Sequence, residues 1–275
     1  MKVTVSLLLL DIFNIDYNDF TIDIALYATI SWVDNRLKIL NGSNRMIGKS
    51  VQNNVDVSFI RNIWVPEIYI YDLKDFNTGQ KNIIKEEGLV ITEEKNDDVR
   101  ITYSFEAQVI FTCPIDYEEF PFHAHTCYLK ITSFGKSLES MEFIRDESFG
   151  WDPAVVLDTN KVRDYRVNVS YISGEETRKK SWFSNDIYYS IAGLKIELVS
   201  KYEKYILIYY LPSTIFTLTS WVSFLLPPTC YPARTTLLVT VFLCQIGVFN
   251  AVIKDTPNKD GGRNYAKVVC CCVGK

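Results

Sequence analysis

Apolar and polar residues alternate along this chain up to about Lys204, and from Tyr205 onward the alternation gives way to long uncharged runs. Near the start, Phe20, Ile22, Ile24 and Leu26 interleave with Thr21, Asp23 and Ala25, the period of two expected of a strand with one buried face. The stretch from Val3 to Leu37 therefore predicts two long strands around the turn Asp16-Tyr17-Asn18-Asp19. Further strands are predicted around Val90, from Val99 to Thr112, from Tyr128 to Phe134 and from Ile187 to Val199. Turn-rich segments separate them, among them Gly150-Trp151-Asp152-Pro153 and Ser173-Gly174-Glu175-Glu176. Many short strands without a long helix predict an all-β sandwich.

The uncharged runs predict α-helices that cross a bilayer. Tyr205 to Leu226 is long enough to span, and its Pro212, damaging in a soluble helix, is accommodated in membrane. A second span runs from Thr235 to Ile253. A buried core hairpin is the other reading, and two adjacent spans of this length favour the membrane. In the second span Thr236, Thr240, Leu243, Gly247 and Asn250 recur at intervals of three or four, so they share one helical face. That face is small or polar apart from Leu243. A separate stripe of Phe242, Ile246, Phe249 and Ile253 is wholly apolar. The domain division expected is residues 1–204 for the sandwich and 205–275 for the membrane part.

Charge and cysteine usage narrow the function class. A net charge of −4 argues against a general nucleic-acid binder, and nothing resembles a catalytic set, so an enzyme is not expected. Of seven cysteines, Cys113 and Cys127 are a plausible pair, Cys230 and Cys244 lie in or beside the spans, and Cys270 to Cys272 form a run near the end. Met1-Lys2 followed by Val3 to Leu10 has the outline of a signal peptide, but Asp11 ends the apolar run and no small-residue cleavage site follows. An opening strand is the better reading, and a secretion signal would then lie outside this sequence.

Cys113 and Cys127 bracket Phe120-Pro121-Phe122, a proline held between two aromatics. If the thiols are oxidised, the closed loop removes roughly 3 kcal/mol of unfolded-state entropy. A hairpin staple in a secreted domain has the same spacing. Other motifs point further: Trp32-Val33-Asp34-Asn35-Arg36-Leu37, Trp64-Val65-Pro66-Glu67, Ser220-Trp221-Val222-Ser223-Phe224 and Pro232-Ala233-Arg234. Together with the cysteine-bracketed segment they resemble the Cys-loop receptors, the pentameric neurotransmitter-gated ion channels, nearest the anion-selective glycine and GABA-type branch or an invertebrate orphan.

That resemblance implies a plasma-membrane subunit, its sandwich extracellular, assembled with other subunits as a homo- or heteropentamer among membrane lipids. It implies a Cys113–Cys127 disulfide and a coupling loop at Phe120, Pro121 and Phe122. It also implies that Asp34 and Arg36 tie a strand end. Arg234, Thr236, Thr240, Leu243, Gly247 and Asn250 would line the pore, with Leu243 at the hydrophobic gate that closes by dewetting. Threonines in membrane helices also bond back to their own backbone, which leaves a second reading of Thr236 and Thr240. Pro232-Ala233-Arg234 is the family's anion-selective pattern; because the arginine also occurs in cation-selective relatives, the missing glutamate carries most of the case for chloride.

A small neurotransmitter-like ligand is implied between neighbouring sandwiches. Tyr69, Tyr71, Phe134 and, on a capping loop, Trp182 and Phe183 would form one wall. Tyr27, Ser104 and Glu106 would form the other. Glycine and GABA receptors hold the ligand carboxylate with an arginine on that second wall, whereas Thr29 and Glu106 stand beside Tyr27 and Ser104 here. Aromatics with an acid beside them suit an ammonium, so an amine or another non-acidic ligand is expected.

Departures from the family pattern are local. His123 and His125, the only histidines, share a strand face and could hold zinc or sense pH, although exposed histidines are the preferred reading and no metal or other cofactor is assigned. His123 stands where the family has an aspartate, and Lys201 and Lys204 stand where arginine is usual. Asn41 and Asn168 head glycosylation triplets. Only two of the family's four helices are present before the cysteine run, which is open to palmitoylation. A truncated, non-conducting chain that binds ligand or sequesters full-length partners is therefore an alternative to a working subunit. A cation channel and a soluble ligand-binding pentamer are further alternatives, the last disfavoured by the apolar spans.

Overall fold

The computed structural model describes residues 1–16, 19–38, 52–78, 87–93, 98–114, 122–145, 165–181, 187–227 and 229–255. The strands are β1 (Lys2–Asp16), β2 (Thr21–Asp34), β3 (Gln52–Val55), β4 (Tyr69–Ile70), β5 (Leu73–Asn77), β6 (Glu87–Glu93), β7 (Val99–Thr112), β8 (Ala124–Thr132), β9 (Glu142–Arg145), β10 (Tyr165–Tyr171), β11 (Arg178–Lys180), β12 (Tyr188–Ser190) and β13 (Ala192–Ser200). Among the described residues they build a seven-stranded sheet in the order β3-β6-β7-β2-β1-β9, with β5 also on β7. Opposite it lies a four-stranded sheet, β10-β13-β8-β4, and the hairpin β11-β12 stands apart.

Alternation decides which face each strand buries. Val3, Val5, Leu7 and Leu9 of β1, Ile22, Ile24, Leu26 and Ile30 of β2, and Ile101, Val109 and Phe111 of β7 point into one core. Leu129 of β8 and Leu194, Ile196 and Leu198 of β13 meet them from the other sheet. Trp32 is buried in this core, while Asp34, two residues on, accepts from the Arg36 guanidinium at 2.8 and 2.7 Å and fixes the end of β2. The Tyr171 hydroxyl of β10 donates to the Leu7 carbonyl at 2.7 Å and so ties the two sheets together. At Gly193 a Cβ would run into the Leu129 carbonyl, so β13 needs glycine there to approach β8.

The strands β1 and β2 on either side of the predicted turn and the strands β6 and β7 lie where alternation predicts them, and Met1-Lys2 leads directly into a sheet strand. Two predicted strands differ, and the first, from Ile187 to Val199, divides into β12, which pairs with β11, and β13, which pairs with β8 and β10. The strand predicted to leave the cysteine segment at Tyr128 starts at Ala124, inside it, because pairing with β13 extends to Ala124↔Val199.

Two helices follow, α1 (Glu203–Leu225) and α2 (Tyr231–Asp255), each long and apolar enough to cross a membrane. Within α1 the backbone widens at Ile206–Tyr210, where the Leu211 amide donates to the Ile206 carbonyl five residues back. This π-turn lies immediately before Pro212, which has no amide hydrogen to continue the regular ladder. The second helix begins four residues earlier than the uncharged run predicts. Pro232 fits its first turn, where a missing N–H costs nothing, and Arg234 therefore sits inside the helix rather than before it. Between the helices, Ser213 donates to the Gln245 side-chain oxygen at 3.1 Å and the Gln245 amide donates to the Ser213 carbonyl at 3.1 Å.

Candidate functional site

Three of the predicted ligand residues come together. Tyr69 is placed by β4, whose pairing Tyr69↔Thr132 lays it along the end of β8. Tyr71 follows at the turn into β5, where Asp72 adopts a φ of 54°, a conformation aspartate tolerates better than most residues. Phe134 leaves β8 two residues after its end and is 74% exposed. The Tyr69 ring lies 5.5 Å from Tyr71 and 5.7 Å from Phe134, both edge-to-face. Such packing leaves ring faces open, and open faces attract cations.

The hairpin β11-β12 borders this cluster. Its strand β12 is moored at both ends: the Thr132 hydroxyl donates to the Ser190 carbonyl at 2.7 Å, and the Leu138 amide donates to the Tyr188 carbonyl at 2.7 Å. Lys179 of β11 places its ammonium 4.2 Å from the centroid of the Tyr71 ring. Burial, then the neighbouring Tyr69, Tyr189 and Asp72, push the Tyr71 phenol above its ordinary pKa. Beside the cluster a cavity of about 440 Å³ is lined by Gly135, Lys136, Ser137, Met141, Ile187 and Tyr189, among others. Lys179 and Tyr189 were not foreseen. Arg178-Lys179-Lys180 reads as a solvated run, and only pairing with β12 settles which member turns inward. Trp182 and Phe183, predicted for the capping loop, lie outside the described residues.

The second predicted wall lies on the other sheet. Tyr27 pairs with Glu106 and Thr29 with Ser104 across β2 and β7, and all four alternate with core residues and so face away from the core. The Thr29 and Ser104 hydroxyls share a hydrogen bond at 3.1 Å. Tyr27, Ser104 and Glu106 thus form one surface row on the seven-stranded sheet, separate from the sheet that carries Tyr69.

At the junction with the helices, Cys113 at the end of β7 and Cys127 of β8 form a disulfide with Cα atoms 5.0 Å apart, joining the two sheets. Phe122 packs against Tyr202, ring centroids 5.1 Å apart, at the entry to α1. Phe120 and Pro121 lie outside the described residues. The histidines contradict the expectation of exposure: His123 and His125 are 3% and 4% exposed. His123 Nε2 and the Tyr165 hydroxyl are 3.0 Å apart, and the two imidazole centroids lie 4.7 Å apart with the rings tilted by 38°. Both imidazoles lie against the buried Tyr165 ring at the start of β10, with centroids 5.8 and 6.1 Å from it. Burial, with His125 alongside, lowers the His123 pKa to about 4. Among the described residues no group of three or more His, Cys, Asp or Glu could hold a metal. Asn168 is exposed on β10 and donates to Glu197 at 3.1 Å, and Asn41 lies outside the described residues.

On α2 the sides divide. Leu237, Val241, Gln245, Val248 and Val252 are the less exposed positions, whereas Thr236, Thr240, Leu243, Gly247 and Asn250 are all exposed. Thr236 and Thr240 donate back to the Pro232 and Thr236 carbonyls at 2.8 and 3.0 Å. Arg234 differs from a freely projecting ring charge. Its guanidinium donates to the Ser223 carbonyl at 3.0 Å and to Phe224 at 3.4 Å, at the end of α1.

Residues 1–198 match the model of the neurotransmitter-gated ion-channel ligand binding domain. The chain is 24% identical to the γ-aminobutyric acid receptor subunit rho-2 of Homo sapiens over 257 residues, covering 91% of this chain and 49% of that protein. To the rho-2 subunit of Bos taurus it is 24% identical, covering 87% and 47%. To the rho-1 subunit of Mus musculus it is 23% identical, covering 87% and 46%. The chain spans about half the length of these curated relatives. It belongs to the neurotransmitter-gated ion-channel family, the Cys-loop receptors, and is similar to that family's γ-aminobutyric acid receptor subunits.

Proposed function

We propose that this chain is a subunit of a pentameric ligand-gated ion channel of the plasma membrane. Residues 1–204 form its extracellular ligand-binding domain and residues 205–275 carry the membrane spans. The observation that supports this most is the aromatic cluster of Tyr69, Tyr71 and Phe134 beside a hairpin, on a different sheet from the outward row of Tyr27, Ser104 and Glu106. A second subunit presenting its own row to this cluster completes a site that one chain leaves open.

The ligand is an amine. The cluster already accommodates one ammonium, that of Lys179, and the Glu67 carboxylate lies near Gly135 beside Phe134. Thr29 and Glu106 offer no positive charge to a ligand carboxylate at the positions beside Tyr27 and Ser104. The named relatives are receptor subunits for γ-aminobutyric acid, which has an ammonium as well as a carboxylate, so that ligand is the competing reading.

The permeant ion is chloride. Leu243 gates the pore, and Thr236, Thr240, Gly247 and Asn250 line it on the side of α2 turned away from α1. No carboxylate stands in Pro232-Ala233-Arg234, and five helix N-termini starting at Tyr231 would raise the potential at the mouth. Recording from channels that contain this chain tests it: the reversal potential shifts with the chloride gradient, and one that follows sodium and ignores chloride contradicts the proposal.

A further inference from the structure

The Tyr71 ring is already engaged. Lys179 faces it from β11 while its neighbours Arg178 and Lys180 are exposed, and pairing of Lys179 with Tyr189 fixes that orientation. At 4.2 Å the ammonium lies well within the distance at which a ring quadrupole holds a cation. Tyr71 is edge-on to Tyr69, which is edge-on to Phe134, so the occupied ring is continuous with the rest of the cluster. Two ammonium groups cannot share one ring face at close range, because their repulsion exceeds what the ring returns to either. An amine that takes up the Tyr71 face must therefore move Lys179.

We propose that Lys179 is a tethered occupant of the aromatic cluster, which an incoming ligand ammonium displaces, releasing β11 from Tyr71. This rests on the amine reading of the site and adds its regulation. The Thr132 and Leu138 bonds hold β12, at Ser190 and Tyr188, so displacement frees the Lys179 side chain of β11 without unmooring β12. Linkage is reciprocal: whatever affinity Lys179 takes from the ligand, the ligand takes from the Lys179 contact. For a half-buried pair the effect on amine affinity is about fivefold. Lys179 is thus a specificity residue, favouring ammonium groups that bind aromatic faces better than a primary amine held on a strand.

The experiment follows amine-reactive labelling of the purified full chain by mass spectrometry, with Lys180 as internal reference, and binding of tetramethylammonium by calorimetry. In the native chain Lys179 is labelled more slowly than Lys180, tetramethylammonium speeds Lys179 alone, and Tyr71→Leu removes the difference. Lys179→Met binds tetramethylammonium about fivefold more tightly, and Lys179→Arg stays near the native value. Labelling of Lys179 as fast as Lys180, or unchanged or weaker binding by Lys179→Met, overturns the tether. If Lys179 is protected through Tyr71 yet neither chain binds tetramethylammonium, the amine reading falls and the displacement with it, while the contact stands.

Discussion

The Arg234 guanidinium, in the first turn of α2, donates to the Ser223 carbonyl at 3.0 Å, so a side chain at the start of one helix caps the end of the other. Those carbonyls carry the negative end of the α1 dipole, which a cation satisfies twice over, by charge and by hydrogen bonds. Arg234→Gln is expected to lower stability in detergent by about 1.5–3 kcal/mol, the range for a hydrogen bond to a charged group. Arg234→Lys falls between, since an ammonium keeps the charge but not the planar fork. Thermal melts of the three proteins check the order; coincident melts contradict it.

His123 gives the sandwich an acid limb. In the unfolded chain its imidazole takes up a proton near its ordinary value of 6.5, whereas in the folded chain burial delays this to about 4. The pKa is depressed on folding, so the stability it provides is complete above 6.5 and declines as pH falls toward 4. The slope in that window is up to about 1.4 kcal/mol per pH unit. His123→Asn is expected to flatten that part of a stability–pH profile measured by denaturant melts. An unchanged slope contradicts the burial argument.

The disulfide separates two positions 14 apart in sequence and joins the ends of strands in different sheets. Replacing both Cys113 and Cys127 with serine is expected to cost about 3 kcal/mol. A denaturant midpoint that does not move, with or without reductant, contradicts a constraint of that size.

Much of this was legible in sequence because it depends on local periodicity. The alternation Ile22, Ile24 and Leu26 sets the face of β2, and the two uncharged runs set α1 and α2. The spacing of Asp34 and Arg36 is short enough for the pair to meet. What escaped depends on non-local pairing. His123 is buried by its contact with Tyr165, 42 positions further on, and nothing near His123 in sequence encodes that meeting. Lys179 turns to Tyr71 because of its register with Tyr189, and Tyr71 lies over a hundred positions earlier in the chain. Arg234 was read as a pore charge because its partners, the Ser223 and Phe224 carbonyls, belong to backbone and leave no mark in residue type.

The most direct test of the account is equilibrium binding to the purified chain, comparing tetramethylammonium and tyramine with glycine and γ-aminobutyric acid. The account predicts that the amines bind and that Tyr69→Ala and Phe134→Ala each weaken them by about tenfold, near the upper end for loss of a partly desolvated ring face. High-affinity binding of glycine or γ-aminobutyric acid, with no binding of the amines, would contradict it.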